Sequence, residues 1–323
     1  MTEGKRRRKP RFKRDPANAP GFRLTERDIE IIKLVHKHRF LSSEQIFALI
    51  EGSTQQLARR LQLLFHAGYL DRPKAQLARV HEGIFNQPMV YALGKEGALL
   101  LSLRMDVPLS KVDWSAKNRE SKGLFIDHTL MVADFMIAIQ LACEQTPGLR
   151  YIDTEAIINN RPVSAPGKTG PLSWVVNIPI RDGKKWPMTM VPDGAFGIEI
   201  TDQTGQKEIK YFFLEGDRSS MPITRSTLAK SSFQKKMQGY ILSFKDKLYS
   251  QNFGFKKIQV LTVAISNARI ESMLKLNTLL DPQKKGYGLF LFTRDIAVDP
   301  TNPKNILGKT WVNGRGERVR LID

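Results

Sequence analysis

The chain holds one cysteine in 323 residues. Cys143 can form no internal disulfide and no cysteine zinc cluster, and its apolar helical surroundings read as core. Acids are scarce too: 32 Asp and Glu stand against 51 Lys and Arg, a formal charge of +19. That excess favours polyanions, nucleic acid first and an anionic membrane surface second. No run approaches the ~20 apolar residues of a spanning helix, so membrane insertion is not expected. The N-terminus lacks the apolar core of a secretory signal. With the lone cysteine, this reads as a cytoplasmic protein. There is no internal repeat and no legible nucleophile triad.

Two short stretches fail as motifs. "VHKHRF" (35–40) has the outline of a paired-histidine site, but it reads as helix, where His36 and His38 do not share a face. "APGKTGP" (165–171) resembles the end of a phosphate-binding loop, but it lacks the first glycine, and Pro171 blocks the helix that should follow.

What is present is organised in blocks. Residues 1–23 form a basic tail that cannot fold alone; "KRRRKPRFKR" (5–14) carries eight basic side chains and no acid. Arg6, Arg7 and Arg8 are its candidate phosphate contacts. Residues 24–104 are dense in helical periodicity, 105–118 read as a linker, 119–300 mix helices and strands, and 301–323 read as an extension of turns and a short strand.

In residues 24–104, Ile29, Ile32, Leu34 and Val35 recur near helical spacing. Ser42 with Gln45, and Ser53 with Gln56, have the spacing of capping boxes. Gly52 and Gly68 stop the two helices. Two short strands around a polar loop follow ("YLDRP", "PMVYAL"), then a closing helix. Three helices, a hairpin and a helix predict a winged helix-turn-helix, whose third helix enters the major groove. Its polar residues are Gln55, Gln56, Arg59, Arg60 and Gln62, side chains suited to adenine and guanine edges. Arg72, Lys74 and Arg79 in the wing would meet phosphates. Double-stranded DNA is the expected partner, although winged helices also serve as dimer or docking modules, which leaves a homodimer open.

The later block predicts helix, three strands, helix, strand, helix, strand: an α/β chain, a mixed sheet flanked by helices. Strands are expected over "LRYIDTEAII" (149–158), "WPMTMVPDGAFGIEI" (186–200) and "KEIKYFFLEGD" (207–217), and one long helix over 225–249. Glu215 and Asp217 share a strand face, and Asp193 lies beside them in the hairpin. Three carboxylates so close require a counter-charge. A hard divalent cation, Mg²⁺ or Mn²⁺, would supply it and would suit phosphodiester cleavage. Arg218, Lys235 and Lys236 are nearby cations for the phosphate. The alternative reading of Asp193 is a turn, and that of Glu215 and Asp217 a solvated strand end. Glu155, expected mid-strand, is a further acid. His128, on the first helix of this block, is a base or ligand, or else a hydrogen-bonded core histidine.

Pro192–Asp193 and Glu215-Gly216-Asp217 resemble the PD-(D/E)XK pattern of restriction-endonuclease-like nucleases. Asp217 stands where that pattern has lysine, and Lys236 is the candidate replacement. With the preceding winged helix, "IDHTLMVADF", "VPDGAF", "FFLEGDRS" and "QKKMQGY" resemble the replication-relaxation family over roughly residues 25–295. That family is related to MobC-class plasmid relaxases. The resemblance implies a protein of mobile DNA that acts at a transfer or replication origin alongside relaxosome or replication proteins. It implies Asp193, Glu215 and Asp217 as the acidic motif and makes His128 conspicuous. The expected activity is metal-dependent nicking of DNA. The alternatives are a non-catalytic accessory or initiation factor with a degenerate nuclease fold, and a winged-helix transcriptional repressor.

Overall fold

The computed structural model describes residues 11–14, 21, 23–77, 87–106, 108–162, 170–180, 183–225, 231–282 and 288–322. Arg6, Arg7, Arg8 and Arg79 lie outside the described residues. The chain divides into two compact units, residues 1–133 and 134–323.

In the first unit, α1 (Glu26–His38) opens on a capping box between Thr25 and Asp28. It buries Ile29, Ile31, Ile32 and Val35, while Leu34 is only half-buried. The strand β1 (Phe40–Ser42) is too short to show a period. Ser42 ends it and caps α2 (Ser43–Leu49) reciprocally with Gln45. Ser53 precedes α3 (Thr54–His66) but makes no side-chain cap bond, so the second expected capping box does not form. Gly68, at φ +84°, turns the chain into β2 (Leu70–Asp71). β3 (Val90–Leu93) lies between β1 and β2, antiparallel to both. α4 (Lys95–Met105) then approaches the turn closely; a Cβ on Gly97 would lie 2.3 Å from the Tyr69 carbonyl oxygen.

The stretch read as a linker is folded. It forms α5 (Leu109–Val112) and α6 (Ser115–Glu120), with Val112, Ser115 and Asn118 buried. Arg39 fastens it, donating from Nε to Asn118 Oδ1 at 3.0 Å and lying over the rings of Trp114 and Phe125. The end of the basic tail is also held. Arg14 donates to the carbonyls of Phe65 and Leu70 and to Asp71 Oδ1, at 2.9, 3.0 and 2.5 Å.

The 22-residue helix α7 (Gly123–Glu144) begins in the first unit and ends in the second. Contrary to the sequence expectation, it is long and apolar enough to cross a membrane by length and composition alone, but more than half of its apolar stretch is buried within the protein. In the first unit its Ile126 and Leu130 pack with Phe40, Val90 and Ala92.

The second unit is a mixed α/β layer structure. Its seven-stranded sheet runs β12-β11-β10-β9-β8-β7-β4, formed by β4 (Leu149–Ile152), β7 (Gly194–Thr201), β8 (Lys207–Asp217), β9 (Ile258–Ala264), β10 (Phe290–Arg294), β11 (Trp311–Asn313) and β12 (Arg318–Val319). β8, β9 and β10 are parallel neighbours; the other pairs are antiparallel. On one face Phe135 of α7 meets Phe196 and the fully buried Trp311. Phe213, pointing the other way, joins the cluster under α9 (Phe233–Lys245), α10 (Leu248–Phe253) and α11 (Asn267–Leu280).

Several boundaries differ from the sequence reading. The strand at 149 stops at Ile152 because Asp153 caps a helix, α8 (Thr154–Asn159), which puts Glu155 on an exposed helical turn. The run at 186–200 is two strands in two sheets. β6 (Lys185–Met190) pairs with β5 (Trp174–Pro179) in a separate hairpin, and Val191-Pro192-Asp193 breaks the chain before β7. The long helix at 225–249 resolves into α9 and α10, with 226–230 outside the described residues. Residues 301–323 add β11 and β12 to the main sheet.

Candidate active site and nucleic-acid face

The pairing of β7 with β8 sets the geometry. Gly194 faces Leu214, so Asp193 falls opposite Glu215, on the face that carries Phe213. The two strand ends are tied twice: the Asp193 amide donates to the Leu214 carbonyl and the Gly216 amide donates to Asp193 Oδ2, both at 2.9 Å. Glu215 is buried and reached from α9. Lys236 Nζ donates to its Oε2 and the Tyr240 hydroxyl to its Oε1, each at 2.5 Å. Lys236 and Tyr240 are four apart, so one helix face delivers both. Asp193 and Lys236 are only half-buried, which leaves the cluster open to solvent on that side.

The electrostatics match. Burial pushes Glu215 up to about 7; Asp193 adds to the rise and Lys236 opposes it. Burial would lower the Lys236 ammonium, but Glu215, Asp193 and Asp217 together hold it above its ordinary value. Burial and then Glu215 raise Tyr240 well above the usual phenol, so it stays a donor.

Asp217 does not join this group. Arg269 of α11 grips it with two bonds, from Nε at 2.7 Å and Nη2 at 2.8 Å, and the Ser219 amide adds a third at 2.9 Å. Both side chains are nearly enclosed, at 6% and 10% exposure. Two residues along a strand is about 6.6 Å, enough for a different partner to claim each acid. Among the described residues no group of three or more His, Cys, Asp or Glu is placed to hold a metal ion, which departs from the expected three-carboxylate cluster. A hard cation such as Mg²⁺ needs only one or two carboxylates, with water and phosphate oxygens completing its shell. Asp193 and Glu215 are the two carboxylates left for that smaller role, and both Glu215 oxygens already accept from Lys236 and Tyr240. Lys235 is buried and Arg218 half-buried. His128 is half-buried on α7 and falls in the first unit, whereas Asp193, Glu215, Asp217 and Lys236 fall in the second.

In the first unit, α3 buries Leu57, Leu61, Leu64 and Phe65 and exposes Gln55, Gln56, Arg59 and Gln62. Gln55, Arg59 and Gln62 follow one helical stripe. Arg60 leaves that stripe. It is ion-paired to the fully buried Asp28, also donating from Nε at 2.9 Å, and it keeps that carboxylate below its ordinary range against the opposing effect of burial. Arg72 is likewise engaged, its guanidinium 4.2 Å from the Phe65 ring centroid and bonded to Tyr91 Oη and the Arg11 carbonyl. Lys74 is exposed. Sequence reasoning missed Tyr240 and Arg269. The first carries a signal, its spacing from Lys236; the second, 52 residues from Asp217, carries none.

A family profile described as replication-relaxation matches residues 32–254, more than half of the chain. The chain belongs to the replication-relaxation family. No curated protein and no solved structure matches it. The matched span contains α3, Asp193, Glu215, Asp217, Lys236 and Tyr240, while Arg269 and β9 to β12 lie beyond it. Membership in the replication-relaxation family points to a role in the replication or mobilisation of mobile elements.

Proposed function

We propose that this replication-relaxation protein binds double-stranded DNA at an origin-type site and nicks one strand. The observation that carries the reading is the seating of Lys236 on Glu215, beside Asp193, at the carboxyl end of β8 where the sheet changes from antiparallel to parallel pairing. Open sheets place ligand sites at such ends. Two acids and a lysine are the residue types of the PD-(D/E)XK pattern, with the lysine supplied by a helix. Asp193 and Glu215 would hold Mg²⁺ or Mn²⁺, which when bound supplies Lewis-acid chemistry to a phosphodiester. Lys236 places positive charge next to Glu215 for the scissile phosphate. Tyr240 fixes the Glu215 carboxylate by its hydrogen bond. The first unit is read as a winged helix, with Gln55, Gln56, Arg59 and Gln62 toward base edges and Lys74 toward phosphate. Arg60 is assigned to the fold. His128 has no role in this scheme.

The test is incubation of a supercoiled plasmid bearing the cognate origin with Mg²⁺ or Mn²⁺, using wild type and Asp193→Ala, Glu215→Ala and Lys236→Ala. Conversion to the open circle by wild type alone is expected. A second reading, a non-catalytic accessory or initiation factor, is favoured by the saturation of Glu215 and Asp217 with hydrogen bonds. Origin binding without nicking under either metal would select it.

A further inference from the structure

The β5–β6 hairpin belongs to neither the main sheet nor the carboxylate cluster. Alternation along β5 buries Trp174, Val176 and Ile178 and exposes Val175, Asn177 and Pro179. The inner row is fastened to α9. Trp174 stacks on Phe213 and donates to Ser243 Oγ, and Met188 and Met190 lie against Gly239, where a Cβ would meet the Met190 sulfur at 2.3 Å. Trp186 is opposite Ile178 and therefore on this same inner face. Yet Trp186 is 44% exposed and Ile178 only 4%. The tip of the hairpin thus extends past the core that covers its base. That tip carries Lys184 and Lys185, both exposed. The indole of Trp186 is left partly open to solvent beside two exposed lysines.

We propose that this tip is a contact for single-stranded DNA, with a base stacked on Trp186 and flanking phosphates on Lys184 and Lys185. Stacking on an aromatic beside basic side chains is how proteins hold unpaired strands without reading sequence, and the chain's charge of +19 suits the ligand. Position agrees. Lys185 and Asp193 are eight positions apart, so the tip lies at most about 28 Å from the cluster. A strand opened near the cluster would be gripped within that distance. The inference rests on the proposed function of the second unit in acting on DNA.

The experiment measures fluorescence anisotropy of a labelled oligo(dT) and of a cognate duplex with the full-length wild type, Trp186→Ala, Trp186→Phe and Lys184→Ala/Lys185→Ala. Trp186→Ala should weaken oligo(dT) binding about fivefold to 100-fold, Trp186→Phe should restore most of it, and duplex affinity should not change. The double lysine variant should lower the salt slope on oligo(dT) by ~0.7 for every phosphate it no longer neutralises. Unchanged oligo(dT) affinity in Trp186→Ala, or an equal loss on duplex, would overturn the proposal while leaving the nicking assay to judge the wider reading. A wild type that binds neither DNA would overturn both.

Discussion

The Asp217–Arg269 pair separates a structural latch from a metal ligand, and its energetics can be worked from the geometry. The pair is bidentate and almost fully enclosed. Removing one member of such a pair strands the other charge in a low-dielectric site, at about 3–5 kcal/mol. Arg269 also occupies the third position of α11, after its N-cap Ser266, where the helix dipole disfavours a cation by about 0.3–1 kcal/mol. Asp217 offsets that as well. Asp217→Leu and Arg269→Met should therefore each cost roughly 4 kcal/mol, while the double variant, which buries no charge, should lie within about 1 kcal/mol of wild type. Urea unfolding followed by circular dichroism gives the three values; in thermal melts each single variant should fall by roughly 8–16 °C. Asp193→Asn, which keeps an acceptor for the Gly216 amide, should cost under about 1 kcal/mol. A second readout is stabilisation by Mg²⁺ or Mn²⁺, which Asp193→Asn should lose and the double variant should keep. A single variant costing under about 1 kcal/mol, a double variant costing the sum of the two, or loss of metal stabilisation in the double variant would each refute the latch.

Other expectations follow from the same kind of reasoning. Arg60→Ala should destabilise the first unit by about 3 kcal/mol, because it leaves the buried Asp28 carboxylate unpaired; Arg59→Ala should leave stability unchanged and weaken DNA binding by about 1–3 kcal/mol if it reads a base, and the reverse pattern would exchange their roles. Burial lowers His38 from 6.5 to about 4, and its Nε2 is enclosed with no hydrogen-bond partner among the described residues. The unfolded chain therefore takes up the proton first on acidification. This contribution is complete above pH 6.5 and is lost as pH falls toward 4, by roughly 3 kcal/mol; a His38→Leu protein whose stability still falls over that window to the same extent would refute the assignment. Truncating residues 1–10, short of the docked Arg14, should flatten the salt dependence of DNA binding by ~0.9 for each phosphate the arm neutralises, and an unchanged slope would show that the arm touches no DNA.

The legible parts of the fold are those fixed by neighbours in sequence. Ser42 and Gln45 are three apart, and the cap they predict is there. Leu57, Leu61, Leu64 and Phe65 follow one helical stripe and are buried. The alternation in 207–217 gives β8, with Glu215 and Asp217 on one face. What is not legible depends on distant partners. β1 is three residues long and exists because β3 pairs with it. The strand over Trp174–Pro179 is not among those expected from the sequence, and nothing local says that β6 pairs with it and leaves the main sheet at Pro192. Asp28 has no local signal for its pairing with Arg60, 32 residues on, so spacing alone groups Arg60 with the exposed polar face of α3. At the candidate site, proximity of the acids is readable from the hairpin and Lys236 is named from the sequence, but Arg269, the partner of Asp217, is not. A shared strand face does not imply a shared ligand when two different helices each bring a cation.

That division of partners bears on whether the site is degenerate. The pattern it resembles combines two acids and one lysine, a net charge of −1 when all are ionised. Replacing the lysine with Asp217 would, alone, leave three negative charges and no cation. Here Lys236 and Arg269 restore −1, and they do so at separate points: Arg269 neutralises the extra acid in an enclosed pair, and Lys236 returns a positive charge to Glu215 on the side open to solvent. The placement of the cations therefore separates the two acids: Glu215 holds a lysine on the side open to solvent, while Asp217 is tied to an arginine in an enclosed pair.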